Sequence, residues 1–184
     1  MASIIHKGNS KMTDLKQMLL SGFDDININI PEDNRMVVST KKESVLSILI
    51  YLKKFGYNHF ALVSCNDWID DNEFELIYIV SAYQKNDEQY QDIEKSSIIV
   101  KTRISREKAK FITIIDIFEN AEPYEREIHE MFGINFEGHP RLTPLMLERN
   151  YKIPPYRKDF DTNKYVENTF GKIPSIKERK EGNK

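Results

Sequence analysis

At 184 residues, with 40% hydrophobic and 30% charged side chains, the chain is long enough for one domain with a sizeable core and an appended tail. A net charge of -2 gives no argument for nucleic acid or an anionic membrane as the main partner. The single cysteine, Cys65, excludes an internal disulfide, a CxxC zinc site and a chain-internal iron–sulfur cluster, each of which needs several thiolates.

The N-terminus, Met1-Ala2-Ser3-Ile4-Ile5, lacks the apolar core of a signal peptide. No window approaches the roughly 18 apolar residues of a membrane span. The expectation is a chain in a reducing compartment that reaches a membrane only through partners. Residues 11–20 carry a short amphipathic pattern and read as a first helix. Residues 24–35 mix Asp, Asn and Pro and read as a linker or edge segment ahead of Met36-Val37-Val38. Thr40 and Glu43 match a capping box. Behind them Val45, Ile48, Leu49, Leu52 and Phe55 form a helical apolar stripe that stops at Gly56.

His59–Ser64, Glu73–Tyr83 and Ser97–Ile104 are rich in Ile, Val, Tyr and Phe and read as strands. Asp67–Glu73 is the expected turn between the first two, and Gln84–Lys95 a polar loop before the third. The expected fold class is α+β: helices packed on a mostly antiparallel or mixed sheet, with an extended C-terminal tail. Lys110–Phe118 is ambiguous between strand and helix. From residue 151 onward nine Lys/Arg stand against five Asp/Glu, and Pro154, Pro155 and Pro174 oppose regular structure. Tyr151, Tyr156, Phe160, Tyr165 and Phe170 in such a tail are expected to be ordered on a partner; the alternative is that the tail folds back over its own sheet. The domain division is therefore 1–35 helix and linker, 36–140 α/β core with a signature helix at 122–132, and 141–184 extended partner-binding tail.

The most informative run spans residues 122–160. Pro123 suits a first helical turn, where its missing N–H costs nothing. Glu122 and Glu125 complement the positive end of the helix dipole. Tyr124, Ile128, Met131 and Phe132 share one face, and Gly133 is the stop. The spacing pairs Arg126 with Glu122 and Glu130, and Glu125 with His129. His129-Glu130 begins like HExxH, but Gly133 stands where the second histidine belongs and His139 precedes Pro140, so no metal-ligand set can be argued. No nucleophile elbow or phosphate-binding glycine loop is present in the sequence.

Three pieces of this run occur in order: Glu125-Arg126-Glu127-Ile128-His129-Glu130-Met131-Phe132-Gly133-Ile134, then Phe136-Glu137-Gly138-His139-Pro140, then Arg157-Lys158-Asp159-Phe160. They resemble the signature of the complex I C-type subunit, the small hydrophilic subunit of NADH:quinone oxidoreductase and its hydrogenase relatives. The likeness covers roughly residues 35–165. Tyr124 replaces the tryptophan usual in the bacterial and mitochondrial branch, and Arg141-Leu142-Thr143-Pro144 stands where that branch carries Asp-Leu-Arg-Arg. The His-Glu-Met-Phe-Gly wording is closer to relatives in membrane-bound NiFe hydrogenases, sulfane reductases and archaeal complex I-like enzymes.

The resemblance implies a cofactor-free scaffold with no catalytic, cofactor-binding or metal residues of its own. Iron–sulfur clusters, and a NiFe centre or a quinone, would sit on partner subunits. Those partners would be a large catalytic-type subunit and a small iron–sulfur subunit, holding the chain peripherally on the cytoplasmic side of the membrane. It assigns Tyr124, Glu125, Arg126, Glu127, His129, Glu137, Gly138, His139, Pro140, Arg157, Lys158, Asp159 and Phe160 to subunit interfaces. Rival readings are a small metal-dependent hydrolase using the Glu/His face and a free-standing adaptor.

Overall fold

The computed structural model describes residues 7–82, 95–147 and 151–171, and the expected loop 84–95 lies outside them except for Lys95. Its centre is a five-stranded sheet of β1 (Ile26–Glu32), β2 (Arg35–Thr40), β3 (His59–Trp68), β4 (Glu73–Ala82) and β5 (Ser96–Ser105). The strand order is β1-β2-β5-β4-β3, with β2 and β5 parallel and every other pair antiparallel. The mixed α+β arrangement expected from the sequence is thus present.

Period-two alternation decides which side of the sheet becomes the core. Along β4, Phe74, Leu76, Tyr78, Val80 and Ala82 all point inward and are buried, while Glu75, Ile77 and Ile79 face the other way. On β3 the inward residues Phe60 and Val63 are three apart, which alternation alone forbids. A bulge between Phe60 and Leu62 restores the parity, pairing Phe60 with Val80 and Val63 with Tyr78. Three helices cover this inner face: α1 (Lys7–Gly22) against β1, α2 (Val45–Lys54) against β5, and α3 (Glu122–Phe132) against β3. Met12, Leu15 and Leu19 of α1 and Val45, Ile48, Leu49 and Leu52 of α2 are the buried stripe residues.

Several expectations are corrected. Of the two readings of residues 24–35 the linker fails and the edge segment holds: Ile26–Glu32 is the edge strand β1, so residues before 36 contribute to the same sheet and core. The capping box does not form: Thr40 ends β2, α2 opens on a 3-10 turn at Lys42–Ser44, and no side-chain cap bond is made. The turn after β3 is shorter than Asp67–Glu73, because β3 runs on to Trp68 and only Ile69–Asp71 is a 3-10 turn. Lys110–Phe118 splits into a short strand β6 (Lys110–Ile112) and turns. The tail is not extended throughout, since α4 (Thr162–Phe170) follows an Asp161 side chain that caps the Lys164 N–H at 3.0 Å.

Around α3 the chain builds a miniature βαβ unit. Strands β6 and β7 (Asn135–Glu137) are parallel, with Phe111 opposite Phe136, and α3 is the crossover between them. Gly133 takes the left-handed conformation (φ 77°) that turns the chain from α3 into β7. Truncating Leu76 to Ala in the centre of β4 should cost about 2–5 kcal/mol, whereas Ile50→Ala on the exposed side of α2 should stay within about 0.5 kcal/mol. Urea unfolding of both variants checks the contrast.

Candidate functional site

The signature residues converge on α3 and on the two segments that wrap it, yet most of their polar groups bind inside the chain. Glu125 is fully buried. Its carboxylate accepts from the Thr113 hydroxyl at 2.6 Å and from the Ile114 N–H at 2.8 Å, tying α3 to the segment after β6. No cation among the described residues is bonded to it. Burial pushes this carboxyl up to about 7, against the lowering effect of those two hydrogen bonds, and the nearby Glu122 charge adds to the rise. The expected Glu125–His129 pair is absent. The His129 Nδ1–H instead donates to the Ile134 carbonyl at 2.9 Å, beyond the end of the helix.

Arg126 is nearly buried. It donates to the carbonyls of Thr143 (3.1 Å) and Pro144 (3.0 Å), to the Thr143 hydroxyl (3.3 Å) and to Glu122 (3.4 Å). Its expected second partner, Glu130, is occupied elsewhere: its carboxylate accepts the backbone N–H groups of Leu145, Met146 and Leu147 at 3.2, 2.9 and 2.7 Å. Adjacent turns of α3 thus hold one loop from both polarities, a guanidinium on its carbonyls and a carboxylate on its amides. Charge-assisted bonds to otherwise unmatched backbone groups outweigh a solvent-exposed i, i+4 pair, which contributes only about 0.2–0.5 kcal/mol.

The turn Gly138-His139-Pro140 packs beside the start of α3. Gly138 needs its positive φ of 87° and has Thr113 Cγ2 3.2 Å from where a Cβ would lie. The Arg141 N–H donates to His139 Nδ1 at 3.0 Å, leaving the Nε2–H to face the Glu122 carbonyl at 3.4 Å. Glu137 is exposed and pairs with Lys110 at 3.1 Å. Tyr124 sets its ring edge-on to Phe60, with centroids 6.1 Å apart.

The block Arg157-Lys158-Asp159-Phe160 belongs to a strap, residues 151–160, that crosses back over α3 and the end of β3. Tyr156 N–H donates to the Met131 carbonyl at 3.0 Å, and Arg157 Nε donates to the Phe132 carbonyl at 2.7 Å. Gly133 permits that approach, because a Cβ there would lie 3.0 Å from Pro154 Cγ and 3.2 Å from an Arg157 nitrogen. Burial, and secondarily Arg106, lower the Arg157 guanidinium from its ordinary range. The Lys158 N–H donates to Asp67 at 2.8 Å, and Asp159 accepts from Arg106 at 2.5 Å. Phe160, Tyr151 and Tyr165 form an aromatic cluster with centroids 4.9–5.8 Å apart. Tyr151, Tyr156, Phe160 and Tyr165 therefore make ring contacts within the chain, and residues 156–159 fold back onto α3 and the end of β3.

Sequence reasoning missed Asp67 and Arg106, the pair on which the strap closes. Asp67 is 5% exposed and accepts from Arg106 Nε at 2.8 Å and from a second guanidinium nitrogen at 3.1 Å. Parity offered a signal: Val63, Cys65 and Asp67 share the inward side of β3, and a carboxylate there demands a partner. Cys65 is buried in this strand, and burial raises its thiol well above the usual range, which leaves it a packing residue.

Among the described residues no three His, Cys, Asp or Glu side chains are grouped to hold a metal, and no helix is long and apolar enough to cross a membrane. What the fold defines is a small α+β unit whose signature helix is braced through Glu125, Arg126, His129 and Glu130. The family model of the respiratory-chain NADH dehydrogenase 30 kDa subunit matches residues 38–166, and the chain belongs to that family, the complex I C-type subunits. It is 30% identical over 134 residues to the C/D protein of NADH-quinone oxidoreductase from Yersinia pestis (strain Pestoides F), covering 67% of this chain and 21% of that protein. The corresponding protein of Blochmanniella pennsylvanica is 27% identical over 135 residues. The chain spans about a fifth of the length of these relatives, 21% in both cases.

Among solved structures, a chain of the membrane-bound sulfane sulfur reductase, an archaeal respiratory membrane complex, superposes with a TM-score of 0.77 at 24% identity. That match covers 95% of this chain and 99% of the other. The trypsin-resistant fragment of Nqo5 superposes with a TM-score of 0.59 at 23% identity, over 72% of this chain and 98% of the fragment.

Two outcomes follow from the braces. Because the Glu125 carboxyl sits above its ordinary 4.5, its contribution to stability is complete below about pH 4.5 and is lost as pH rises through about 7. Glu125→Gln, which keeps an acceptor for Ile114 and carries no charge, should remove that loss. Wild type should weaken relative to the variant by up to about 3 kcal/mol between pH 5 and 8, read by denaturant melts at both values. Asp67→Ala leaves Arg106 without its buried partner and should cost about 3–5 kcal/mol, with the Lys158 amide losing protection in hydrogen exchange.

Proposed function

We propose that the chain is a cofactor-free peripheral scaffold subunit of an energy-converting, membrane-bound redox complex. It docks a large catalytic subunit, of the quinone-site or NiFe type, beside a small iron–sulfur subunit on the cytoplasmic side of the membrane. The observation that carries this reading is the use to which the signature is put. Arg126, Glu130 and Arg157 bind the chain's own backbone and fix the 143–147 loop and the strap as rigid surface. A preordered surface binds without a large ordering cost, which suits a docking subunit.

The interface role then divides. Glu125, Arg126 and Arg157 shape the surface from within, while Glu127, Glu137, Gly138, Pro140, Lys158 and Asp159 present themselves to partners. Tyr124, His139 and Phe160 support the turns between them, and the tail from residue 141 lies along the large subunit. The near-complete overlap with the sulfane sulfur reductase chain favours the hydrogenase-like or archaeal complex I-like type. A second reading, the C-type subunit of a respiratory NADH:quinone oxidoreductase, is favoured by the sequence likeness to the NADH-quinone oxidoreductase C/D proteins.

Affinity capture of the tagged chain from gently solubilised membranes tests the proposal. The expected result is co-recovery of iron–sulfur and membrane subunits, with hydrogenase, sulfur-reductase and quinone-reductase assays separating the types. Recovery of the chain alone would overturn it.

A further inference from the structure

Beside the strap, β3 and α3 enclose a groove of about 200 Å³ that none of the braces uses. Its floor is apolar: Val63, Ile128 and Met131 are each 4% exposed. Its rim is polar, formed by Ser64, Glu127 and Tyr156. The volume is below the roughly 300–1,000 Å³ of small-molecule sites and suits a single long side chain.

Two rim groups point to the chemistry of the occupant. Glu127 is half-buried, and among the described residues its carboxylate has no hydrogen-bond or ion-pair partner, unlike Glu122, Glu125 and Glu130 on the same helix. Tyr156 is 59% exposed although its position is fixed, by its backbone bond to Met131 and by edge-to-face packing on Phe132 at 5.8 Å. A rigid, exposed aromatic next to a desolvated pocket is the anatomy of a binding hot spot.

We propose that this groove receives an arginine side chain of a partner protein. The aliphatic stem would lie on Ile128 and Met131, the guanidinium would pair with the Glu127 carboxylate, and its plane would lie against the Tyr156 ring. Arginine fits better than lysine because its planar, weakly hydrated head binds a carboxylate bidentately and stacks on an aromatic face. An apolar ligand would leave Glu127 desolvated and unpaired, and an acidic one would be repelled by it. The assignment rests on the assembly reading above and names the partner chemistry at one point of that surface.

The test uses the complex recovered from membranes. A photo-cross-linking residue in place of Ser64 should form an adduct with a partner peptide that contains arginine. Glu127→Arg should lower partner recovery at least about tenfold, and exchanging that partner arginine for glutamate should restore it. Glu127→Gln and Tyr156→Ala should each release the partner at lower salt, with the melting of the isolated chain unchanged by Glu127→Gln. An adduct with a second copy of this chain, an adduct peptide lacking arginine, or undiminished recovery with Glu127→Arg would overturn the groove assignment while leaving the assembly reading intact. Wild-type chain recovered without partners would overturn both.

Discussion

The strap that closes over α3 depends on one buried ion pair. Asp67, at the end of edge strand β3, binds the Arg106 guanidinium through both oxygens and then takes the Lys158 amide as a third donor. Arg106 follows β5, so the pair ties the C-terminal end of β3 to that of β5 across the start of β4. Asp159 on the strap completes the guanidinium's partners. Burying both charges is costly, and the surrounding donors and acceptors make the burial tolerable. The strap is thus hung on the sheet by charge, and it covers α3 in consequence.

The same division of labour explains which parts of the chain could be read in advance. The apolar stripes of α2 and α3 and the alternation of β4 appear in the sequence because burial follows periodicity alone. The polar partners do not. Arg126 binds the carbonyls of Thr143 and Pro144, groups that every residue type carries, so no pairing of side chains announces the contact. Glu130 is drawn from Arg126 by three amides of a loop whose path only the fold determines. Thr40 and Glu43 have the right spacing for a cap, but the sheet claims Thr40 first. The bulge in β3 is invisible for a related reason, since Ala61 becomes unpaired only because Phe60 and Val63 must both face the core.

Because Arg126 holds main-chain oxygens, the loop it grips can change its side chains while keeping its position. Arg141-Leu142-Thr143-Pro144 differs from the wording usual in the bacterial and mitochondrial branch, and only two of its side chains enter the brace: the Thr143 hydroxyl, and the Arg141 guanidinium, which pairs with Glu122 at 3.5 Å. The grip is therefore insensitive to which side chains stand at Leu142 and Pro144, since it takes only the main-chain oxygens of Thr143 and Pro144.

The strap's anchor also orders events in time. Asp67 and Lys158 are separated by 91 positions in the chain. Closing a loop of that length costs roughly 4 kcal/mol of chain entropy before any other loss, more than one amide–carboxylate bond returns. The contact becomes favourable only when β3, β4, β5 and α3 have already shortened the path between its ends. The strap is accordingly a late-settling element, and the surface formed by Tyr156 and its neighbours exists only on a chain whose sheet is complete. A partner that read this surface would thereby discriminate finished chains from unfinished ones.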